Sequence, residues 1–161
     1  MRPNEPRHRR ASGPGMALAV VAALVAAFGT VQGEPLTVDD AIKLRRAAFA
    51  LQGQYFGQLK PMAAGAVAFD TRRADALVTR VTALSQMAAE FFPAGSDQGN
   101  TKASAAIWQR PDDFAQRERA LQTELAALAR SVQASDENAF KSAVATTSAA
   151  CKACHEDFRA R

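Results

Sequence analysis

The feature that most constrains this chain is a short motif near its C-terminus, Cys151-Lys-Ala-Cys154-His155. The sequence has two cysteines, both in this motif, and two histidines, of which the other is His8. Residues i and i+3 of a helix project from neighbouring turns of one face, so both thiols can bond to the two vinyl groups along one porphyrin edge. His155, one turn after Cys151, can then ligate the iron. The motif therefore predicts one haem c, covalently attached through Cys151 and Cys154.

Two other kinds of site use the same residue types. A structural zinc site needs four ligands, and Cys151, Cys154 and His155 supply three, with Glu156 or Asp157 as candidates for a fourth. A thioredoxin-like redox pair has its thiols at a helix N-terminus, whereas these lie near a C-terminus, where the helix dipole raises the pKa of a thiol. The pattern favours haem attachment over both alternatives, which stay open at this point.

The spacing of apolar residues predicts four helices and no strand. The first begins at the N-cap Thr37 and runs until Pro61 stops it. The second covers about 70–92, and the third starts near Pro111 after a long connection at 93–110. Four helices of this length, joined by one long and two shorter connections, predict an all-α fold, an antiparallel up-down four-helix bundle.

The apolar stripes indicate which residues face the core. In the second helix the predicted inward residues are Leu77, Val81, Leu84, Met87 and Phe91. The fourth helix has the most regular stripe, with steps of four, three, four, three and four residues. Its members are Phe140, Val144, Thr147, Cys151, Cys154 and Phe158. Both thiols are therefore expected on the buried face.

The N-terminal segment is typical of a secretory signal peptide. Residues 1–15 are basic and residues 16–29 are apolar, and small side chains before Glu34 place cleavage after Gly33. An uncleaved membrane anchor is the alternative. Most of the net charge of +4 lies in residues 1–33, which hold four arginines and one acidic residue, so residues 34–161 are nearly neutral. A nearly neutral body gives no electrostatic case for nucleic-acid binding.

The predicted helices and the motif together resemble the class II cytochromes c, and specifically the cytochrome c′ family. The resemblance is carried by Asp-Ala-Ile-Lys-Leu-Arg-Arg at 40–46, Tyr-Phe-Gly at 55–57, Thr-Lys-Ala at 101–103, Ile-Trp at 107–108, and the segment 151–159. It implies that the domain after the leader is a periplasmic four-helix bundle with one haem c.

The resemblance also implies roles for individual residues. Phe49 takes the position over the open haem face at which low-spin members carry a methionine ligand, and since a phenyl ring has no lone pair for iron, the iron should be five-coordinate. Arg45 and Arg46 match a pair that reaches the haem propionates, with Thr101 as a weaker candidate. Arg159 matches a basic residue beside the proximal imidazole. The plainer alternatives are a core phenylalanine, a solvated Arg45, and an Arg159 that complements the helix C-terminus.

These implications lead to an expected function in electron transfer or in the binding of nitric oxide and carbon monoxide, with a redox partner that the residues do not specify. The sequence contains no constellation of catalytic residues, so we do not expect an enzyme. The alternatives are a low-spin electron carrier with Met62 or Met87 on the iron, and a haem-free helical interaction or metal-binding module. The family resemblance also implies a homodimer through the first two helices, where Gly53 and Gly57 could allow close approach or leave room beside the haem.

Overall fold

The computed structural model describes residues 36–160. Within this range the chain forms four long helices, α1 (Val38–Ala63), α2 (Thr71–Ala89), α4 (Pro111–Gln133) and α5 (Glu137–Phe158), and one short helix, α3 (Ala106–Gln109). The described residues contain no strand beyond one isolated bridge between Ala103 and Arg159. The all-α prediction is confirmed. The predicted signal peptide lies outside the described residues.

The long helices form a closed ring in which each packs against two others. Helix α1 packs against α2 and α5, and α4 packs against the other sides of α2 and α5. The shared core consists of large apolar side chains from all four helices. Its most deeply buried members are Leu59, Met62, Val81, Leu125, Leu128 and Phe140. This is the predicted up-down four-helix bundle. None of the helices among residues 36–160 is long and apolar enough to cross a membrane.

Helix α1 begins where the sequence predicts but ends later. The side chain of Thr37 accepts a hydrogen bond from the backbone N–H of Asp40, which is a typical N-cap. Pro61 does not stop the helix, which continues to Ala63, so this prediction was wrong. A proline removes one hydrogen bond to the preceding turn, a smaller loss in the last turn than in the middle of a helix. Continuing the helix also buries Met62, which is 1% exposed.

Helix α2 ends earlier than predicted and turns a different face inward. It stops at Ala89, before Phe91 and Phe92. Met87, predicted to face the core, is 50% exposed. The inward positions of the last turns belong instead to Ser85 and Ala88, and the hydroxyl of Ser85 accepts a hydrogen bond from Gln122 on α4. A search for apolar residues misses these positions because one is polar and the other is small.

The connection between α2 and α4 is docked onto the end of α5. The backbone N–H of Ser104 donates to the carbonyl of Phe158 at 2.9 Å, and the N–H of Ala160 donates to the carbonyl of Lys102 at 2.8 Å. The connection also contains the short helix α3, which the sequence did not predict. The backbone beside the cysteine motif is therefore tied to a segment about fifty residues away in the chain.

Candidate functional site

Helix α5 presents the cysteine motif as its apolar stripe predicts. Phe140, Val144, Thr147 and Phe158 are buried, and Cys151 and Cys154 on the same stripe are half-buried free thiols. His155 lies beside them and is exposed. The helix begins at the N-cap Asp136, whose side chain accepts from the N–H of Ala139. The motif thus lies in the last two turns of a well-capped helix.

The environment of the site keeps its thiols protonated. Burial raises the pKa of Cys154 to about 11, and the neighbouring Cys151 adds to the effect. Burial also raises the pKa of Cys151. The sequence predicted raised values, but burial, not the helix dipole, is the main cause. Because a reactive redox pair requires thiolates, these values argue against a thioredoxin-like function.

The imidazole of His155 is held toward its neutral form. Although much of the residue is exposed, partial burial of the ring and the positive charge of Arg159 lower its pKa. Neutral imidazole is the form that ligates a metal. Arg159 itself is exposed, and its backbone N–H donates to the carbonyl of His155 at 3.2 Å.

The residues that could complete a zinc site are engaged elsewhere. Asp157 accepts from both Nε and Nη2 of Arg117 on α4, at 3.0 and 2.8 Å. Glu156 pairs with Lys152 at 3.6 Å. Across residues 36–160 there is no group of three or more histidines, cysteines and acidic residues that could hold a metal ion. The donor set therefore fits a structural zinc ion poorly.

Arg45 is buried on α1 and makes four hydrogen bonds. Only 2% of the residue is exposed, so the alternative of a solvated arginine was wrong. Its Nη1 donates to the carbonyl of Phe91 at 3.0 Å and to the hydroxyl of Ser96 at 2.9 Å. Its Nη2 donates to the carbonyl of Ser96 at 2.7 Å and to the hydroxyl of Thr101 at 2.6 Å. The structure thus brings together two of the predicted propionate residues, Arg45 and Thr101, whereas Arg46 is exposed.

Phe49 lies one turn after Arg45 and belongs to an open apolar strip on α1. It is 42% exposed, so it is not simply a core residue. Gly53 and Gly57 continue the strip at steps of four residues, and a Cβ atom built on either would meet no atom within 4 Å. A flat apolar group can lie against such a strip. This open space is compatible with both roles considered for these glycines, room beside a haem and close approach of a second helix.

Sequence reasoning missed the cluster of rings that surrounds Arg45. The guanidinium carbon of Arg45 lies 4.5 Å from the ring centroid of Phe92 and 6.0 Å from that of Trp108. The ring of Phe92 also contacts those of Phe49 and Phe114. The one available signal was the pair Phe91 and Phe92 before a proline, which instead suggested the end of a helix.

The residues of the site fit a covalently attached haem. Two thiols with raised pKa values and an imidazole with a lowered pKa lie together in the last two turns of α5. The neighbouring helix α1 carries the open apolar strip of Phe49, Gly53 and Gly57. Thioethers form from thiols, and an apolar surface is what a porphyrin face covers.

Comparisons with known proteins agree on one family. A family model described as "Cytochrome C'" matches residues 40–159. The chain is 33% identical over 125 residues to cytochrome c′ of Rubrivivax gelatinosus, a match that covers 74% of this chain and 94% of that protein. Its fold is similar to the solved structure of cytochrome c prime from Shewanella frigidimarina, with a TM-score of 0.75 and 39% identity over 80% of this chain and all of that one. A solved nitric oxide complex of a variant cytochrome c prime from Alcaligenes xylosoxidans also has a TM-score of 0.75, with 29% identity over 80% of this chain and 99% of that one.

Proposed function

This chain belongs to the cytochrome c′ family, and we propose that it is a periplasmic haem c protein that acts in electron transfer or in the binding of nitric oxide and carbon monoxide. When bound, the haem supplies an iron that can change oxidation state or bind a gas. Cys151 and Cys154 hold the haem through thioethers, and His155 is the proximal ligand. The nitric oxide complex of the Alcaligenes relative supports a gas-binding role.

The observation that carries this proposal is the exposed ring of Phe49 on the strip that also contains Gly53 and Gly57. This strip lies on α1, which packs against the helix that carries Cys151 and Cys154. Phe49 occupies the family position over the sixth coordination site and has no atom that can ligate iron. An iron held by His155 would therefore be five-coordinate and high-spin, and Phe49 would limit access to its open side.

The positions of the two candidate methionines support this coordination over the low-spin alternative. Met62 is 1% exposed and belongs to the core cluster that contains Phe140 and Val144 of α5. Met87 is 50% exposed on α2. The core packing of Met62 and the outward position of Met87 therefore support five-coordinate iron.

The hydrogen bonds of Arg45 bear on which gas binds. Arg45 lies one turn before Phe49, but both of its terminal nitrogens donate to the connection between α2 and α4. These N–H groups are therefore not available to a ligand beside Phe49. Bound oxygen gains more from a hydrogen-bond donor than carbon monoxide or nitric oxide does. The site accordingly favours the latter two gases.

Visible spectra of the purified protein test this function. We expect a high-spin ferric spectrum, carbon monoxide binding to the ferrous form, and haem that stays attached in acid acetone. Cys154→Ser should leave at most one thioether. A low-spin spectrum that becomes high-spin in Met62→Leu or Met87→Leu would support the electron-carrier alternative, and complete loss of haem in acid acetone would contradict covalent attachment.

The proposed periplasmic location depends on the leader. Residues 1–33 have the basic, apolar and small-residue regions of a signal peptide, and cleavage after Gly33 gives a mature chain that begins at Glu34. Mass spectrometry of the exported protein tests this cleavage. A mass that still includes residues 16–33 would indicate a membrane anchor instead.

We also propose that the protein is a homodimer through α1 and α2. Leu44 and Leu51 lie two turns apart on one face of α1 and are 43% and 47% exposed. Met87, in the last turn of α2, is 50% exposed. Arg45, which follows Leu44 in α1, donates a hydrogen bond to the carbonyl of Phe91, four residues after Met87. The exposure of these three large apolar side chains is explained if a second copy of the chain covers them.

A further inference from the structure

The ring of Phe92 is the centre of the aromatic cluster on the connection between α2 and α4. Its centroid lies 4.9 Å from that of Phe114 and 6.1 Å from that of Trp108. Its third aromatic neighbour is Phe49 on α1, with a centroid separation of 6.4 Å and an interplanar angle of 64°. Phe49 is the residue proposed to cover the open side of the iron. Phe92 thus connects Phe49 to the body of the protein.

Phe92 is held in place by its ring and by its backbone. The guanidinium of Arg45 lies over its ring at 4.5 Å, a cation–π contact that is strengthened by burial. The indole Nε1 of Trp108 donates to the carbonyl of Phe92 at 3.3 Å, and Arg45 donates to the carbonyl of Phe91. Two side chains therefore hold the backbone at this point, and the rings of Phe114 and Trp108 limit movement of the Phe92 ring.

Phe49 has fewer aromatic neighbours within the protein than Phe92 has. With 42% of its surface exposed, its ring contacts one other ring among the described residues, that of Phe92. Gly53, one turn further along, leaves open space on the same strip. Phe92 therefore occupies the side of the Phe49 ring that faces the connection.

We infer that Phe92 determines ligand access at the open side of the haem by fixing the resting position of Phe49, and that Arg45 is a positioning residue that holds Phe92. This inference rests on the proposed function. With Phe92 in place, the Phe49 ring cannot turn toward the connection and stays over the site that a gas must reach. With a smaller residue at position 92, the Phe49 ring turns into the freed space and the site opens.

The test is a double-mutant cycle on carbon monoxide association with the ferrous holoprotein, measured by flash photolysis. Phe92→Leu should raise the association rate by about tenfold. In a Phe49→Leu background the same change should alter the rate by less than about twofold, because the residue through which Phe92 acts is then absent. The control is Phe69→Leu, since Phe69 pairs with Phe140 at 4.6 Å outside this cluster. It should leave the rate unchanged.

A structural readout makes the test independent of gas binding. In a crystal structure of the Phe92→Leu protein, the Phe49 ring should be displaced toward residue 92. If Phe92→Leu does not fold, Trp108→Phe removes the hydrogen bond to the Phe92 carbonyl while keeping a ring, and should raise the rate in the same direction. An unchanged Phe49 position, or equal rate effects in both backgrounds, would overturn the inference and leave the proposed function standing. A wild-type protein that binds no carbon monoxide would overturn the inference and the gas-binding part of the proposed function, and would leave electron transfer.

Discussion

Arg45 and Phe49 lie one turn apart on α1, yet their environments are opposite. Arg45 is a charged residue with 2% of its surface exposed, and Phe49 is an aromatic residue with 42% exposed. Four hydrogen bonds offset the cost of burying the guanidinium. The exposed phenyl ring is explained if the haem covers it in the holoprotein. For these two residues, burial depends more on the partners that each side chain has than on whether the side chain is charged or apolar.

The first prediction concerns Phe49. Phe49→Met should place a thioether at the family's ligand position and move the iron toward low spin, which weakens carbon monoxide binding because the gas must displace a ligand. Phe49→Ala should instead make binding easier by removing bulk. Ferric visible spectra and carbon monoxide titrations measure these changes. Met62→Leu is the control and should leave the spin state alone, whereas a high-spin Phe49→Met protein would contradict the assigned position.

The second prediction concerns the hydrogen bonds of Arg45. Arg45→Lys keeps the charge but lacks the planar fork that reaches Ser96 and Thr101 together, so buried acceptors lose their donors. We expect a loss of about 3 kcal/mol in the free energy of unfolding, measured with urea. The exposed neighbour Arg46 provides a matched control, since Arg46→Lys should change stability by less than about 0.5 kcal/mol. Equal effects at the two positions would contradict the structural role of Arg45.

At the scale of elements, the start of α1 shows how a few side chains define a helix end. Thr37 accepts from the backbone N–H of Asp40 and donates its hydroxyl to the Asp40 carboxylate at 2.7 Å. Lys43 adds an ion pair at 2.9 Å. The hydrogen bond from Thr37 is the main cause of the lowered pKa of Asp40, and the hydrogen bond and charge of Lys43 lower it further. Ionised Asp40 therefore contributes to the stability of the α1 N-terminus.

The third prediction follows from this cap. Thr37→Ala should cost about 1 kcal/mol of stability. Because the pKa of Asp40 is lower in the folded protein, its stabilising effect is complete above the ordinary value of 3.8 and is lost as the pH falls through the folded value. The variant should consequently lose less stability than the wild type on acidification, as measured by thermal unfolding at several pH values. Thr79→Ala, in the middle of α2, is the control, and an equal acid response in all three proteins would contradict the prediction.

At the scale of the whole molecule, the connection between α2 and α4 joins distant parts of the bundle. It binds Arg45 of α1 through Ser96 and Thr101, and it binds the end of α5 through the backbone at Lys102 and Ser104. One segment thus contacts both the helix that carries Phe49 and the helix that carries the cysteine motif. The two sides of the proposed haem site are connected through it.

The last prediction concerns assembly. If α1 and α2 form a dimer interface, the wild type should sediment as a dimer, and Leu51→Glu should shift it to the monomer because a buried charge opposes association. Sedimentation velocity measures the two species. Val67→Glu changes an apolar residue of similar exposure outside these helices and should leave the dimer intact. A monomeric wild type, or a Leu51→Glu protein that remains dimeric, would contradict the proposed interface.

Local features of the sequence determined the four helices, most of their boundaries and the cysteine motif. The N-cap at Thr37, the helix start at Pro111 and the stripe from Phe140 to Phe158 were predicted because each depends on residues within a few turns of one another. The failures at element ends have local physical causes as well. Pro61 is tolerated in a last turn, and Ser85 occupies a core position that an apolar pattern does not mark.

Tertiary structure decided where the side chains of the candidate site go. Arg45 binds acceptors 46 to 56 residues away, and the ring of Phe49 meets that of Phe92 on another element. Periodicity within α1 contains no information about those partners, because it describes one helix and not its neighbours. The sequence by itself therefore determined the fold class and the cysteine motif. The packing of the connection against α1 and α5 decided which residues shape the candidate site, since that packing depends on long-range contacts.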